Sequence, residues 1–178
     1  FTLHKMVIDR IEREIQHAKA GKPARIRAKM NSLIEPSVID ALYRASSAGV
    51  QIDLIVRGMC TLRPGVKGLS ENIRVRSIIG RQLEHSRVYC FHNNGADDTL
   101  ISSADWMGRN FFRRIEVATP ITTPELKARV IREGIEMALQ DNTRAWLMQP
   151  DGSYLRARPE NGEPAFSLQE SLWEMYGR

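Results

Sequence analysis

Apolar residues at Leu3, Met6, Val7, Ile11 and Ile15 recur with a helical period, and Gly21 follows as a stop, so the spacing predicts a helix over 3–20. Residues 24–30 then change to strict alternation. Ile26, Ala28 and Met30 fall on one face and Arg25, Arg27 and Lys29 on the other, the pattern of a half-buried strand that keeps its charges to one side. Pro36 opens a second helix through Val38, Ala41, Leu42 and Ala45, which Gly49 ends. The apolar run VQIDLIV predicts a second strand that stops at Arg57–Gly58. Helix, strand, helix, strand in that order predicts a sheet with parallel members joined by crossover helices.

The second half of the chain reads differently. Residues 58–72 form a long loop rich in Gly and Pro, and loops of that length in compact domains are often functional. Short strands are expected at 73–79, 87–92, 98–103 and 114–119, with the turn NNGADD making a hairpin of the second and third. Thr123 and Pro124 cap a helix running to about Leu139. A strand pair around Asp151–Gly152, a loop at 159–164 and a helix from about Ser167 complete the pattern. The fold class is therefore α/β, a mixed sheet flanked by helices, and residues 1–178 are expected to form a single domain with 143–178 as its C-terminal extension. The chain opens on Phe1 and enters a helical pattern at once, which reads as a segment of a longer polypeptide.

Composition narrows the setting. Of the 178 residues, 42% are hydrophobic and 26% charged, the balance of an ordinary globular protein. No apolar run approaches the roughly 18 residues that cross a bilayer, and FTLHKMVIDR carries charges where an export signal needs an apolar stretch. Cys60 and Cys90 have no CxxC spacing and read as reduced cytosolic thiols, and no Cys/His cluster has zinc-ligand spacing. The expected location is the cytoplasm, with association at a membrane surface left open. The formal charge of +5 favours an anionic partner. Lys22, Arg25, Arg27 and Lys29 form one basic cluster without an acid, and seven Lys or Arg face two Glu between Arg57 and Arg87. A solvated basic face would give the same pattern.

No GxxxxGK[ST], GxSxG, HExxH or EF-hand pattern is present, so nucleotide chemistry here would not use a P-loop. No aromatic ladder interleaves the basic residues, so nucleic acid is not an expected partner. The candidate constellation lies in LEHSRVYCFHNNGADDTLISSADWMGRNFFRRIEV. His85 and Arg87 stand one residue apart at the entry to a strand and are expected to share a face. The next strand ends in Ser102, Ser103 and Asp105, and Arg109, Asn110, Arg113, Arg114 and Glu116 follow. A hairpin brings both groups to one end of the sheet. Imidazole exchanges protons near neutrality, and guanidinium forks bind phosphate oxygens in pairs. Arg57 ends an apolar strand, where ligands of α/β sheets gather. Both residues have plainer readings: His85 as a surface loop histidine beside Glu84, Arg57 as a strand-terminal ion pair. His92 reads as a strand-end residue, and His4 and His17 as solvent-facing positions on the first helix.

LIVRGMCTLRPGVKGLSENIRVRSIIGRQLEHSRVYCFHN and ISSADWMGRNFFRRIEVATPI, with AKMNSLIEPSVIDALYRASSAGV upstream, closely resemble the polyphosphate kinase family, the type autophosphorylated on histidine. The resemblance is strongest from Lys29 to Pro120 and weak after about Asn142. It implies a phospholipase-D-like fold of two similar α/β halves, each giving a histidine to one shared site, with this chain as the second half. His85 with Arg87 matches the HxK-type element, Arg replacing Lys, and ISSADW resembles the GSxN-type element with Asp105 in place of Asn. The family's phosphorylated histidine belongs to the other half. What the resemblance carries over is His85 as a catalytic second histidine, and Arg57 and His85 as nucleotide- and phosphate-contacting positions. It implies ATP/ADP and inorganic polyphosphate as partners, Mg2+ carried by the nucleotide and no metal held by the chain itself, and a homo-oligomeric longer enzyme. The reaction implied is reversible transfer of the ATP γ-phosphate to polyphosphate; basic strand faces, including Lys29 and Arg27, are expected to guide the polyanion by field alone. An isolated fragment is expected to be inactive. Two alternatives stand beside this: a phospholipase-D-like phosphodiesterase or nuclease, against which HxR without the motif's following Asp counts, and a noncatalytic polyanion-binding module.

Overall fold

A computed structural model describes residues 2–177. Phe1 and Arg178, which the expected single domain includes, lie outside the described residues. The helix α1 (Thr2–Lys19) leads to β1 (Arg25–Met30), α2 (Pro36–Ser47) and β2 (Gln51–Val56). Next come β3 (Ile73–Ile78), β4 (Val88–Phe91), β5 (Asp98–Ser102), the short helix α3 (Gly108–Arg113) and β6 (Ala118–Pro120). A helical stretch follows, made of α4 (Pro124–Ile131), a π-helical turn (Arg132–Glu136) and α5 (Met137–Gln140). The strands β7 (Ala145–Met148) and β8 (Tyr154–Arg156) and the helix α6 (Leu168–Tyr176) complete the order.

Eight strands make one sheet in the order β6-β5-β4-β1-β2-β3-β7-β8. The three central strands β1, β2 and β3 are parallel, joined through α2 and the long 58–72 loop. All other pairings are antiparallel. The expected mixed sheet with parallel members is therefore present, as is the β4–β5 hairpin.

Alternation along the strands sorts side chains onto two covered faces. Ile26, Ala28, Met30, Ile52, Leu54, Val56, Tyr89 and Phe91 pack with Val7, Ile11, Val38 and Leu42 of α1 and α2. On the opposite face Ile55, Ile78, Val88 and Cys90 pack with Ile131, Ile135, Ala138 and Leu168. Gly134 allows the π-helical turn to lie close on β4, since a Cβ there would stand 3.1 Å from a Val88 methyl.

This second layer corrects the reading of β1. Arg27 and Lys29 are not on a solvated face; they are 5% and 7% exposed. Arg27 Nη1 lies 3.1 Å from Glu136 Oε1 and Lys29 Nζ 2.5 Å from Glu84 Oε2. A central strand with helices on both faces has no wet side, so its alternation marks two different packings rather than core and solvent. Three further expectations change. His4 and His17 are half-buried, and His4 packs on Phe111 and Phe112 with ring centroids 5.2 and 5.0 Å away. The strand expected at 114–119 is confined to β6, because its pairing partner β5 ends at Ser102, opposite Ala118. Thr123 begins α4 without a side-chain capping bond. No helix among the described residues is long and apolar enough to cross a membrane.

Candidate functional site

Topology gathers the chemistry at one edge of the sheet. Asn31 follows β1, Arg57 follows β2, and the loop 79–87 follows β3. β4 runs antiparallel to β1 with Lys29 opposite Val88, so it starts at the same edge. β5 ends there too, since Ile101 pairs with Val88, and residues 102–117 return along that edge before Ala118 pairs with Ser102. The carboxyl ends of parallel strands are where open α/β sheets bind ligands.

A buried carboxylate organises this edge. Asp105, 4% exposed, accepts the Asn31 backbone N–H at 2.7 Å and both prongs of Arg87, Nε at 2.9 Å and Nη2 at 3.3 Å. The Asn31 side-chain oxygen in turn accepts Arg57 Nε at 3.0 Å. Asp105 thus fixes Arg87 with one set of bonds and, through Asn31, the root of the Arg57 guanidinium with another. The Arg57 backbone N–H also reaches Met30 O at 3.2 Å, and its carbonyl accepts Ser77 Oγ at 2.9 Å. Its terminal nitrogens Nη1 and Nη2 have no partner among the described residues, so a pair of donors points out of a well-held side chain.

The 79–87 loop supplies the second group. His85 is exposed, and its ring makes no hydrogen bond among the described residues. Its backbone carbonyl accepts Arg87 Nη1 at 3.0 Å. The two side chains therefore do not share a role: Arg87 turns inward onto Asp105 and His85 outward. Arg57, Asn31, Lys29, Glu84 and Ser86 line one small cleft, so the residues on either side of His85 border the same space as Arg57. Lys29 belongs to this cleft as a buried, paired cation.

Beyond Asp105 the hydroxyls are committed. Ser102 Oγ donates to Val117 O at 2.9 Å, Ser103 Oγ bonds Glu116, and Asn110 Nδ2 donates to Glu116 Oε1 at 2.5 Å. Tyr89 OH bonds Ala104 O, and burial pushes this phenol above its usual range. Arg109, Arg113 and Arg114 are exposed and have no partner among the described residues, leaving a cationic rim on the segment that follows Asp105. Cys60 and Cys90 are free thiols, each pushed up to about 11 by burial, and so stay protonated and unreactive near neutrality.

His92 follows β4 and enters a tight turn, its N–H bonding Arg25 O at 2.9 Å. The sequence reading overlooked Asn31, which links Asp105 to Arg57, and Glu84 as the partner of Lys29. The polar pair Asn31–Ser32 directly after the alternating strand RIRAKM was the available cue for Asn31. For Glu84 there was none, because its partner lies 55 residues away. Among the described residues no group of three or more His, Cys, Asp or Glu could hold a metal ion.

Comparison with known proteins places this geometry. A family model described as "Polyphosphate kinase C-terminal domain 2" matches residues 1–169. The polyphosphate kinase of Neisseria meningitidis serogroup C is 83% identical over 177 residues, which is 99% of this chain and 26% of that protein. The crystal structure of polyphosphate kinase from Porphyromonas gingivalis superposes with a TM-score of 0.93 at 40% identity, over 99% of this chain and 27% of that one. Nuc from Salmonella typhimurium, a phospholipase D family member, matches 76% of this chain and 88% of its own with a TM-score of 0.52 at 15% identity, a likeness of fold. The chain spans about a quarter of the length of the polyphosphate kinases it matches.

Proposed function

Because this chain belongs to the polyphosphate kinase family, as its C-terminal domain 2, we propose that it supplies one wall of the site at which a longer enzyme moves the γ-phosphate of ATP reversibly to inorganic polyphosphate. The observation that carries this reading is the pair of free terminal nitrogens of Arg57 in a cleft whose lining includes Glu84 and Ser86, the chain neighbours of the exposed His85, at the carboxyl edge of the parallel strands.

The transfer has two steps. In the first, the bond between the γ-phosphorus and the bridging oxygen of ATP breaks, a phosphorus–nitrogen bond forms to a histidine of the upstream half, and ADP leaves. In the second, a terminal oxygen of polyphosphate attacks that phosphorus and frees the histidine. Splitting one transfer into two is nucleophilic catalysis. His85 serves the first step by giving a proton, or positive charge, to the departing β-phosphate oxygen. Arg57 places its two Nη donors on phosphate oxygens as negative charge moves, held in position by Asn31. Arg109, Arg113 and Arg114 attract the polyanion by field. Magnesium enters with the nucleotide; the acids here are already committed, Asp105 to Arg87 and Asn31, and Glu84 to Lys29. No step by this chain's residues depends on holding the metal.

A phosphodiesterase reading is disfavoured by the Arg87–Asp105 pair, which neutralises the cation that an HxK-type element would offer to a phosphodiester. The test is to incubate a full-length kinase carrying this domain with γ-labelled ATP, beside the isolated chain. Polyphosphate made by the first and not by the second is expected; polyphosphate made by the isolated chain, or label on His85, would overturn the proposed division of labour.

A further inference from the structure

The loop that carries His85 has few supports of its own. Arg81, Gln82, Leu83, His85 and Ser86 are all exposed, and residues 79–87 contain no helix or strand. What holds the loop comes from the far end of the chain. Gln169, on the first turn of α6, accepts the Gln82 N–H at 2.8 Å and donates to Gln82 O at 2.8 Å and to Glu84 Oε1 at 2.9 Å. The other Glu84 oxygen accepts Lys29 Nζ at 2.5 Å. One side chain therefore spans the loop backbone at 82 and the carboxylate at 84, next to His85. Gly80 makes the approach possible, since a Cβ there would stand 2.2 Å from Gln169 Oε1.

The helix that presents Gln169 is itself anchored. The Leu168 N–H bonds Asp141 Oδ2 at 2.9 Å, and Asp141 Oδ1 accepts the N–H groups of Thr143 and Arg144 at 3.0 and 2.7 Å. Asn142 Oδ1 accepts the Phe166 N–H at 2.8 Å, and Leu168 is fully buried in the second core cluster. The start of α6 is thus tied both to the 141–144 turn and to the core. On the downstream side of His85, Arg87 is held by Asp105. His85 is bracketed, and the upstream bracket is made by the C-terminal helix and the buried Lys29.

We infer that Gln169 is a positioning residue for His85, acting through Gln82 and Glu84, so that the C-terminal extension takes part in catalysis by fixing the 79–87 loop. The inference rests on the proposed role of His85. Its geometry says what loss would look like. Without Gln169 the Gln82 amide opens to water and Glu84 keeps only Lys29, so the imidazole samples more positions while Arg57 and Arg87 keep their own anchors on Asn31 and Asp105. Misplacement of a reacting group slows the chemical step more than it weakens ground-state binding.

The experiment uses a full-length polyphosphate kinase carrying this domain, with Gln169→Ala and, in parallel, His85→Ala. Hydrogen–deuterium exchange reports on peptides covering residues 79–87, and steady-state synthesis gives kcat and KM for ATP. In Gln169→Ala the expected result is exchange across the Gln82 amide at least tenfold faster, kcat lower by about tenfold, and KM within about twofold. Unchanged exchange in Gln169→Ala would overturn the inference, because the loop would then be held by something else. Faster exchange with unchanged kcat would overturn it as well, because fixing the loop would then not serve turnover. Full activity in His85→Ala is a separate outcome: it removes the role of His85, whatever Gln169 does to the loop.

Discussion

Arg87 and Asp105 form a two-pronged ion pair, Nε to Oδ1 at 2.9 Å and Nη2 to Oδ2 at 3.3 Å, with side chains only 18% and 6% exposed. The carboxylate also takes the Asn31 N–H, so three donors depend on one acid. Removing one member of a largely buried pair leaves the other charged and unsatisfied, at a cost of about 3–5 kcal/mol. Asp105→Ala should therefore lower the thermal midpoint by roughly 6–20 °C, taking about 2–4 °C per kcal/mol for a chain of this size. Arg87→Met together with Asp105→Ala should lose less than the two single changes added, because the second removes a charge the first has orphaned. Thermal unfolding of the three variants measures this. Additive losses would show that the two residues stabilise the edge independently.

Two of the three basic residues of β1 are not free to meet a polyanion. Arg27 and Lys29 are buried and paired, whereas Arg81, Arg109, Arg113 and Arg114 are exposed with no partner among the described residues. Long polyphosphate should bind the chain weakly, and affinity should fall at least tenfold between about 50 mM and 500 mM salt, where the screening length drops from above 10 Å to a few ångströms. Replacing Arg109, Arg113 and Arg114 by Ser should weaken binding and flatten that salt dependence. Titration at the two salt concentrations decides it, and an affinity indifferent to ionic strength would count against the cationic rim.

Both thiols should resist alkylation. Burial pushes Cys60 and Cys90 up to about 11 from an ordinary 9.0. At pH 8 about one thiol in a thousand would be ionised, and the thiolate is the reactive form. The sign for stability follows: the unfolded thiols ionise first, so any contribution is complete below about pH 9 and is lost as pH rises towards 11. Iodoacetamide labelling at pH 8, with and without denaturant, checks the prediction; rapid labelling of the folded chain would contradict it.

The edge that carries Arg57 was readable because a strand of Ile, Leu and Val running into Arg57–Gly58 announces both the strand and its end. The hairpin that brings residues 102–105 to the same edge was readable from NNGADD between two short apolar runs. Local pattern did not reveal what covered the second face of β1. RIRAKM alternates in the same way whether its charged side meets water or a helix more than a hundred residues later, where Glu136 waits. Gln169 was invisible for a related reason. Nothing near it in sequence distinguishes it from any polar residue on a helix's first turn, and its partners Gln82 and Glu84 are brought to it only by the whole sheet.

The most exposing test concerns Arg57 and His85 together. Arg57 is fixed by Asn31 at 3.0 Å with its terminal donors free, and His85 is exposed with a ring that bonds nothing among the described residues. Neither contributes to the apolar core, so Arg57→Ala and His85→Ala should leave the thermal midpoint within a few degrees, as most surface substitutions do. In a full-length kinase each should lower polyphosphate synthesis by roughly a hundredfold or more, the scale of losing a charge stabiliser or proton donor. Labelled phosphate from ATP should still appear on the upstream histidine in both variants, but more slowly, because the two residues assist transfer and do not carry the phosphate. A lysine at 57 should restore only part of the rate, since it supplies charge without the paired donors. Activity of His85→Ala within about twofold of the unaltered enzyme, with the fold intact, is what a plain surface histidine would give. That result would leave Arg57 as a phosphate contact and remove His85 from the chemistry.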